Sequence, residues 1–287
     1  MKVLVTGCDG NIGKLISKSL LFTNKNLLLL FNYKKNQKDY KNKIYRNLTR
    51  PLKIKSKVDT IIHCASKTPN SFTKNLKKIY STNLKITKSI INFANKNRVK
   101  RIIFFSSIDV YGSTNKKIVT ETDQLVKPNL YARSKVISEK MFCKKKNKFK
   151  SICLRIPGFL NPNTKKNYPM ITSLIGKIKK NKKIKIYNSK QKFNNILDVD
   201  ELLTFLRFIQ NKPVNSNIFN LSASKPIYFI DLINMIKKKL GSKSIILEIN
   251  DKKKSFVISV SKINKVLNFK TSSTKKIMNR FLKNNLI

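Results

Sequence analysis

The chain has 287 residues, 40% of them hydrophobic, and carries 63 lysines and arginines against 13 acidic residues, a formal charge of +50. That length and apolar content suit a large folded core and exclude a disordered tail or a small stapled scaffold. Eight of the basic residues are arginine and the lysines run through the whole chain, so the charge reads as biased composition; base-reading and bidentate phosphate contacts favour arginine.

An anionic substrate or cofactor is still attracted from a distance, more so at low salt. Cys8, Cys64, Cys143 and Cys153 show neither disulfide nor metal-ligand spacing, which predicts a reducing cytoplasm and no metal site. The opening M-K-V-L-V-T-G reaches glycine too soon for a signal peptide. The longest apolar run, Leu27 to Phe31, is far too short to span a bilayer.

In chain order, Lys2 to Thr6 reads as a short apolar strand. Gly7, Gly10 and Gly13 follow with G-x-x-G-x-x-G spacing, and Lys14 to Phe22 shows helical periodicity. Strand, glycine turn and helix are the context a dinucleotide-binding loop requires. Glycine permits the tight turn and close backbone approach. The helix N-terminus offers unpaired N–H groups and a positive dipole end to a pyrophosphate. Cys8, inside the loop, reads as a small filler. Leu27 to Phe31 is a fully apolar second strand, and the run continues N-Y-K-K with no acid at the strand end. An acid there would select NAD through the adenosine ribose. Asn32, Tyr33, Lys34 and Lys35 suit a ribose 2′-phosphate instead, which predicts NADP(H) binding at least as tight as NAD(H).

Ile44 to Leu48 reads as a third strand, and Val58 to Ser66 as a fourth with its following turn. His63, the one histidine, lies at an apolar strand end and reads as structural. Ser71 to Asn97 is mostly helical. Arg101 to Phe105 is a fifth strand that delivers Ser107. In P-N-L-Y-A-R-S-K, Tyr131 and Lys135 stand four residues apart, which stacks them on one helix face. A free phenol has a pKa of about 10, and a nearby ammonium favours the phenolate. The pair is therefore expected to form a general acid/base of lowered pKa, with Ser107 holding a substrate oxygen beside it. Ser151 to Ile156 is a sixth strand. Beyond about Pro157 the composition turns polar and the strand–helix alternation fades. This divides the chain into a nucleotide-binding domain, 1–156, and a substrate lobe, 157–287. Ile218 to Ser222 reads as a strand, Ile227 to Leu240 as an amphipathic helix, and the C-terminal stretch as strand pieces and one final helix.

Together T-G-C-D-G-N-I-G (Thr6 to Gly13), H-C-A-S (His63 to Ser66), S-I-D-V-Y-G (Ser107 to Gly112), Tyr131-x-x-x-Lys135 and L-R-I-P-G-F-L-N-P (Leu154 to Pro162) resemble the extended short-chain dehydrogenase/reductase family, the nucleotide-sugar epimerases, dehydratases and reductases. The resemblance implies an α/β fold: a Rossmann-like doubly wound parallel sheet with a smaller C-terminal lobe, segments near 194–222 returning to the first domain. It implies hydride transfer between a nicotinamide ring and a sugar carbon, with Ser107, Tyr131 and Lys135 catalytic. Cofactor contacts are implied for Gly7, Gly10, Asn11, Ile12, Gly13, Asn32, Tyr33, Lys34, Asn47, Leu48, Cys64, Ala65, Ser66, Asn83, Tyr131, Lys135 and Pro157. Substrate contacts are implied for Lys67, Ser107, Asp109, Gly158 and Phe193.

There are departures. Phe193 stands where many nucleotide-sugar enzymes have arginine. Gly158 and Asn161 break the usual Asn-x-x-Gly pattern. Ile108 stands where the dehydratase branch has an acid, so dehydration ranks below epimerisation or 4-keto reduction. The expected cofactor is NADP or NAD, and the expected partner is a small molecule, a nucleotide-linked sugar. No specific nucleic acid and no membrane are expected, and a homodimer is compatible with the resemblance. A non-catalytic NADP- or RNA-binding module of the same fold is the alternative from another class.

Overall fold

Short apolar strands alternating with amphipathic helices pack best as a parallel sheet with both faces covered. The computed structural model, which describes residues 1–21, 26–33, 37–69, 75–161, 170–210, 212–250 and 255–285, has this architecture. The chain runs β1 (Val3–Thr6), α1 (Asn11–Leu21), β2 (Leu27–Asn32), β3 (Lys43–Arg46), β4 (Thr60–His63), α2 (Leu76–Lys96), β5 (Arg101–Ser107), a 3-10 turn (Ile108–Tyr111), β6 (Ile118–Val119), α3 (Leu130–Phe142) and β7 (Lys150–Ile156). It continues with β8 (Gly158–Phe159), α4 (Met170–Lys179), β9 (Ile184–Tyr187), β10 (Lys192–Phe193), β11 (Ile196–Leu197), α5 (Val199–Ile209), β12 (Asn217–Asn220), β13 (Ile227–Tyr228), α6 (Phe229–Lys239), β14 (Ile246–Ile249), β15 (Val257–Ile258), α7 (Ser261–Leu267) and α8 (Thr274–Asn285).

Seven strands form one sheet in the order β12-β7-β5-β4-β1-β2-β3. From β3 through β2, β1 and β4 to β5 every neighbouring pair is parallel. Every residue of β1 and β4 is buried, as central parallel strands require. The strand order reverses between β1 and β4. The crevice beyond the carboxyl ends of such strands is where open α/β sheets take ligands. The expected α/β doubly wound fold is the one found.

Two units share the chain. The first comprises Met1–Gly112, Leu125–Arg155 and Asn211–Phe219; the second comprises Ser113–Gln124, Ile156–Gln210 and Asn220–Ile287. The core of the first holds Leu4, Leu30, Ile61, Ile90, Phe104 and Phe142. The core of the second holds Leu160, Ile178, Ile196, Ile233, Met278 and Leu282. In the second unit, Asp198 caps α5 by accepting the Glu201 N–H at 2.9 Å and binds Arg280 of α8 at 2.6 and 2.8 Å. The chain's end carries two helices where one was expected. Asn268, in the left-handed conformation with φ of 54°, stops α7 before α8 begins. Among the described residues no helix is long and apolar enough to cross a membrane. Lys34, Lys35, Ser71 and Pro162 lie outside the described residues.

Candidate active site

The glycine loop lies in the first unit. Gly7 has a φ of +75°, and a Cβ there would stand 2.6 Å from the Ala65 nitrogen. A Cβ on Gly13 would stand 2.2 Å from the Gly7 carbonyl oxygen. The Gly10 N–H donates to that same oxygen at 2.9 Å, and the Lys14 N–H donates to the Gly10 carbonyl at 2.9 Å. The Gly7 and Cys8 N–H groups donate to the Leu30 carbonyl at 3.1 and 3.2 Å, which sews the loop to β2. Asn11 and Ile12 open α1 directly behind it. A glycine loop that a Cβ cannot enter at Gly7 or Gly13, set before a helix N-terminus, fits a dinucleotide pyrophosphate. Gly13→Ala should therefore rebuild the loop. The expected outcome is at least a tenfold loss of NAD(H) affinity by fluorescence titration, with a lower unfolding midpoint. Cys8 is buried, its thiol donates to the Val5 carbonyl at 3.3 Å, and burial pushes its pKa up to about 12. It fills space, as expected from its place in the loop.

His63 ends β4 with its Nδ1 2.7 Å from the Thr6 hydroxyl. Its ring stacks on Phe104 and meets Phe142 edge-on. Burial, helped by the Lys135 charge, lowers its pKa to about 3, so it is a neutral packing residue. Beyond it Cys64, Ala65 and Ser66 are half-buried and Lys67 is exposed. Asn83 on α2 fixes this turn: its Oδ1 accepts the Lys67 N–H at 2.8 Å, and its Nδ2 donates to the Lys67 carbonyl at 3.1 Å and to the Ser134 hydroxyl at 3.0 Å. Both amide hydrogens are thereby used. Asn83 takes a positioning role instead of the expected direct cofactor contact. One turn on, the Thr87 hydroxyl lies 2.7 Å from that of Ser138. The α2–α3 seam is thus a polar ladder that fixes the helix carrying Tyr131.

Asn129 caps α3 by accepting the Ala132 N–H at 2.9 Å, the role asparagine fills best. Ser107 caps the 3-10 turn: its hydroxyl accepts the Asp109 N–H at 3.2 Å. These two caps fix the ends of β5 and α3, and the Tyr131 phenol lies where it feels both the Ser107 hydroxyl and the Asp109 carboxylate. The Lys135 ammonium lies 5.8 Å from the Tyr131 ring centroid and 4.9 Å from that of Phe104, and donates to the Phe105 carbonyl at 2.9 Å. Ser107, Tyr131 and Lys135 therefore do meet.

Their electrostatics differ from expectation. Burial pushes the Tyr131 phenol above its ordinary pKa; the Asp109 charge adds to this, and the nearby Ser107 hydroxyl opposes it. The expected lowering by Lys135 is absent because its ammonium bonds the Phe105 carbonyl and desolvation outweighs the rest. Lys135 itself is lowered to about 8 by burial, with Cys64 and Glu139 pulling the other way.

Glu139 is a residue that sequence reasoning missed. It continues the face of Tyr131 and Lys135 by one more turn, and that i+4 spacing was the available signal. Its buried carboxylate takes Arg155 in a fork, at 3.0 and 2.8 Å. The Arg155 guanidinium lies 5.0 Å from the Tyr111 ring centroid.

Other expected residues have other roles. The Asn47 side-chain Oδ1 accepts the Thr49 N–H and hydroxyl in a local turn, and Leu48 is buried in the first core. Asn32 and Tyr33 are exposed at the end of β2. Pro157, Gly158 and Phe193 belong to the second unit, where Gly158 is exposed in β8. The Phe193 ring packs against Phe229 at 5.2 Å and is 6% exposed, so it is core and not a substrate contact. Among the described residues no metal-binding cluster occurs.

The model of the NAD dependent epimerase/dehydratase family matches residues 3–222. An uncharacterised protein of Methanocaldococcus jannaschii is 30% identical, over 98% of this chain and 96% of that one. UDP-N-acetylglucosamine 4-epimerase from Bacillus cereus has a similar structure, with a TM-score of 0.79 and 18% identity over 98% of this chain and 95% of that one. RMD from Pseudomonas aeruginosa complexed with NADPH gives a TM-score of 0.77 and 17% identity over 98% of each chain. With a strand–glycine loop–helix unit at its start and a match across the whole sheet, the chain belongs to the NAD-dependent epimerase/dehydratase family of extended short-chain dehydrogenase/reductase enzymes.

Proposed function

We propose that the enzyme is a nucleotide-sugar epimerase or keto-sugar reductase that works by hydride transfer at a sugar carbon. The observation that carries this reading is the Lys135 ammonium 5.8 Å from the Tyr131 ring centroid on one helix face, with the Ser107 hydroxyl near enough to the phenol to affect its pKa. A nicotinamide cofactor, held by the glycine loop from Gly7 to Gly13, supplies the hydride chemistry when bound. Tyr131 Oη gives a proton to the substrate oxygen or takes one from it. The Ser107 hydroxyl orients that oxygen. Lys135, one helical turn from the phenol, would hold the cofactor's nicotinamide ribose. Ile108, apolar where a dehydratase would carry an acid, favours epimerisation or reduction over dehydration.

The substrate is a small molecule; the similar structures include a UDP-N-acetylglucosamine 4-epimerase and a UDP-glucose 4-epimerase with UDP-glucose. A cytoplasmic setting fits four cysteines that all remain thiols.

Lys135→Met tests the reading. Nucleotide binding and turnover should both fall, measured by titration and by assay against a panel of nucleotide sugars. In the parent enzyme nucleotide affinity should also decline as pH rises through about 8, where Lys135 sheds its proton. Unchanged binding and turnover in Lys135→Met would sink this assignment.

A further inference from the structure

Dinucleotide folds commonly choose between NAD and NADP with an acid at the end of the second strand. The carboxylate accepts a hydrogen bond from the adenosine ribose 2′-hydroxyl and repels a 2′-phosphate. In this chain β2 ends Leu30-Phe31-Asn32, with no acid. A carboxylate stands there nonetheless. Asp9, from the glycine loop 23 residues earlier, reaches across so that its Oδ2 accepts the Asn32 N–H at 2.6 Å.

The arrangement is held from below. Gly7 and Cys8 both donate to the Leu30 carbonyl, so the loop cannot drift from β2 without breaking two further bonds. Asp9 is exposed. Among the described residues its Oδ1 meets no hydrogen-bond donor, and no lysine or arginine lies within ion-pair distance of it. One oxygen is thus anchored on the strand end, and the other is open to accept from a ribose hydroxyl.

We propose that Asp9 is the ribose-recognising acid of this enzyme and that it sets a preference for NAD(H) over NADP(H). This reverses the expectation drawn from Asn32, Tyr33, Lys34 and Lys35 at and beyond the end of β2. The inference rests on the glycine loop holding a nicotinamide dinucleotide, as proposed above.

The test is titration of the purified enzyme with NADH and NADPH, followed by nucleotide fluorescence, with Asp9→Asn alongside. Asparagine keeps an acceptor for the Asn32 N–H and removes the charge. The parent should bind NADH at least tenfold more tightly than NADPH, a difference of about 1.4 kcal/mol. Asp9→Asn should tighten NADPH binding and erase most of that ratio. Asp9→Glu, which restores the charge, should recover part of it. Thermal unfolding of each nucleotide-free variant checks that the loop survives. A parent that binds NADPH as tightly as NADH, or a ratio unmoved in a folded Asp9→Asn, overturns the role of Asp9 alone. Binding of neither nucleotide overturns the cofactor reading together with it.

Discussion

Tyr131→Phe is expected to lower turnover by roughly 10²- to 10⁴-fold, the usual contribution of a positioned acid/base. The change removes one oxygen, the phenol's own, whose pKa the neighbouring Ser107 and Asp109 affect. It leaves the ring, the Asn129 cap and the Lys135 bond to the Phe105 carbonyl in place. Nucleotide affinity and the unfolding midpoint should therefore change little, which separates loss of proton transfer from loss of structure. The pH profile carries the second readout. Burial and Asp109 raise the pKa of the phenol in the nucleotide-free enzyme, so it is neutral near pH 7 and poised to donate. Taking a proton from a substrate alcohol requires the phenolate, so alcohol oxidation should speed up with rising pH while ketone reduction should not. Full activity of Tyr131→Phe on an identified substrate would end the assignment.

Glu139→Ala is expected to be the most destabilising single change in the first unit. Glu139 and Arg155 are both almost completely buried, with side chains 1% and 4% exposed. Removing the carboxylate strands a guanidinium that cannot be deprotonated. Breaking one side of such a pair costs about 3–5 kcal/mol. For a unit of this size that corresponds to a fall in Tm of roughly 6–20 °C, read by calorimetry. The double variant Glu139→Leu with Arg155→Met should recover most of the loss, because replacing both charges by apolar groups removes the desolvation cost on both sides. A single variant as stable as the parent would show that the pair is solvated or dispensable. Glu139 also supports the Lys135 ammonium, so the folded double variant should show weaker nucleotide binding on the alkaline side than the parent does.

The sequence by itself determined the parts that depend on local periodicity and covalent spacing. Apolar runs of four to seven residues between glycines and polar turns specified β1, β2, β4, β5 and β7. Three glycines at threefold spacing specified the loop, because backbone crowding leaves no room for a Cβ at Gly7 and Gly13. An i+4 pair after Pro128-Asn129 specified that Tyr131 and Lys135 share a helix face, because the helix period fixes it. What only the tertiary structure decided lies in contacts between residues remote in the chain. Asp9 meets Asn32, Asn83 meets Ser134, and Glu139 meets Arg155 across 16 residues. No local pattern marks these pairs, since each polar side chain alone reads as solvated surface. The pKa of Tyr131 belongs to the same class. Spacing puts a lysine on its face, but desolvation and the Asp109 charge set the sign of the shift, and both act only once β5 and α3 are packed together.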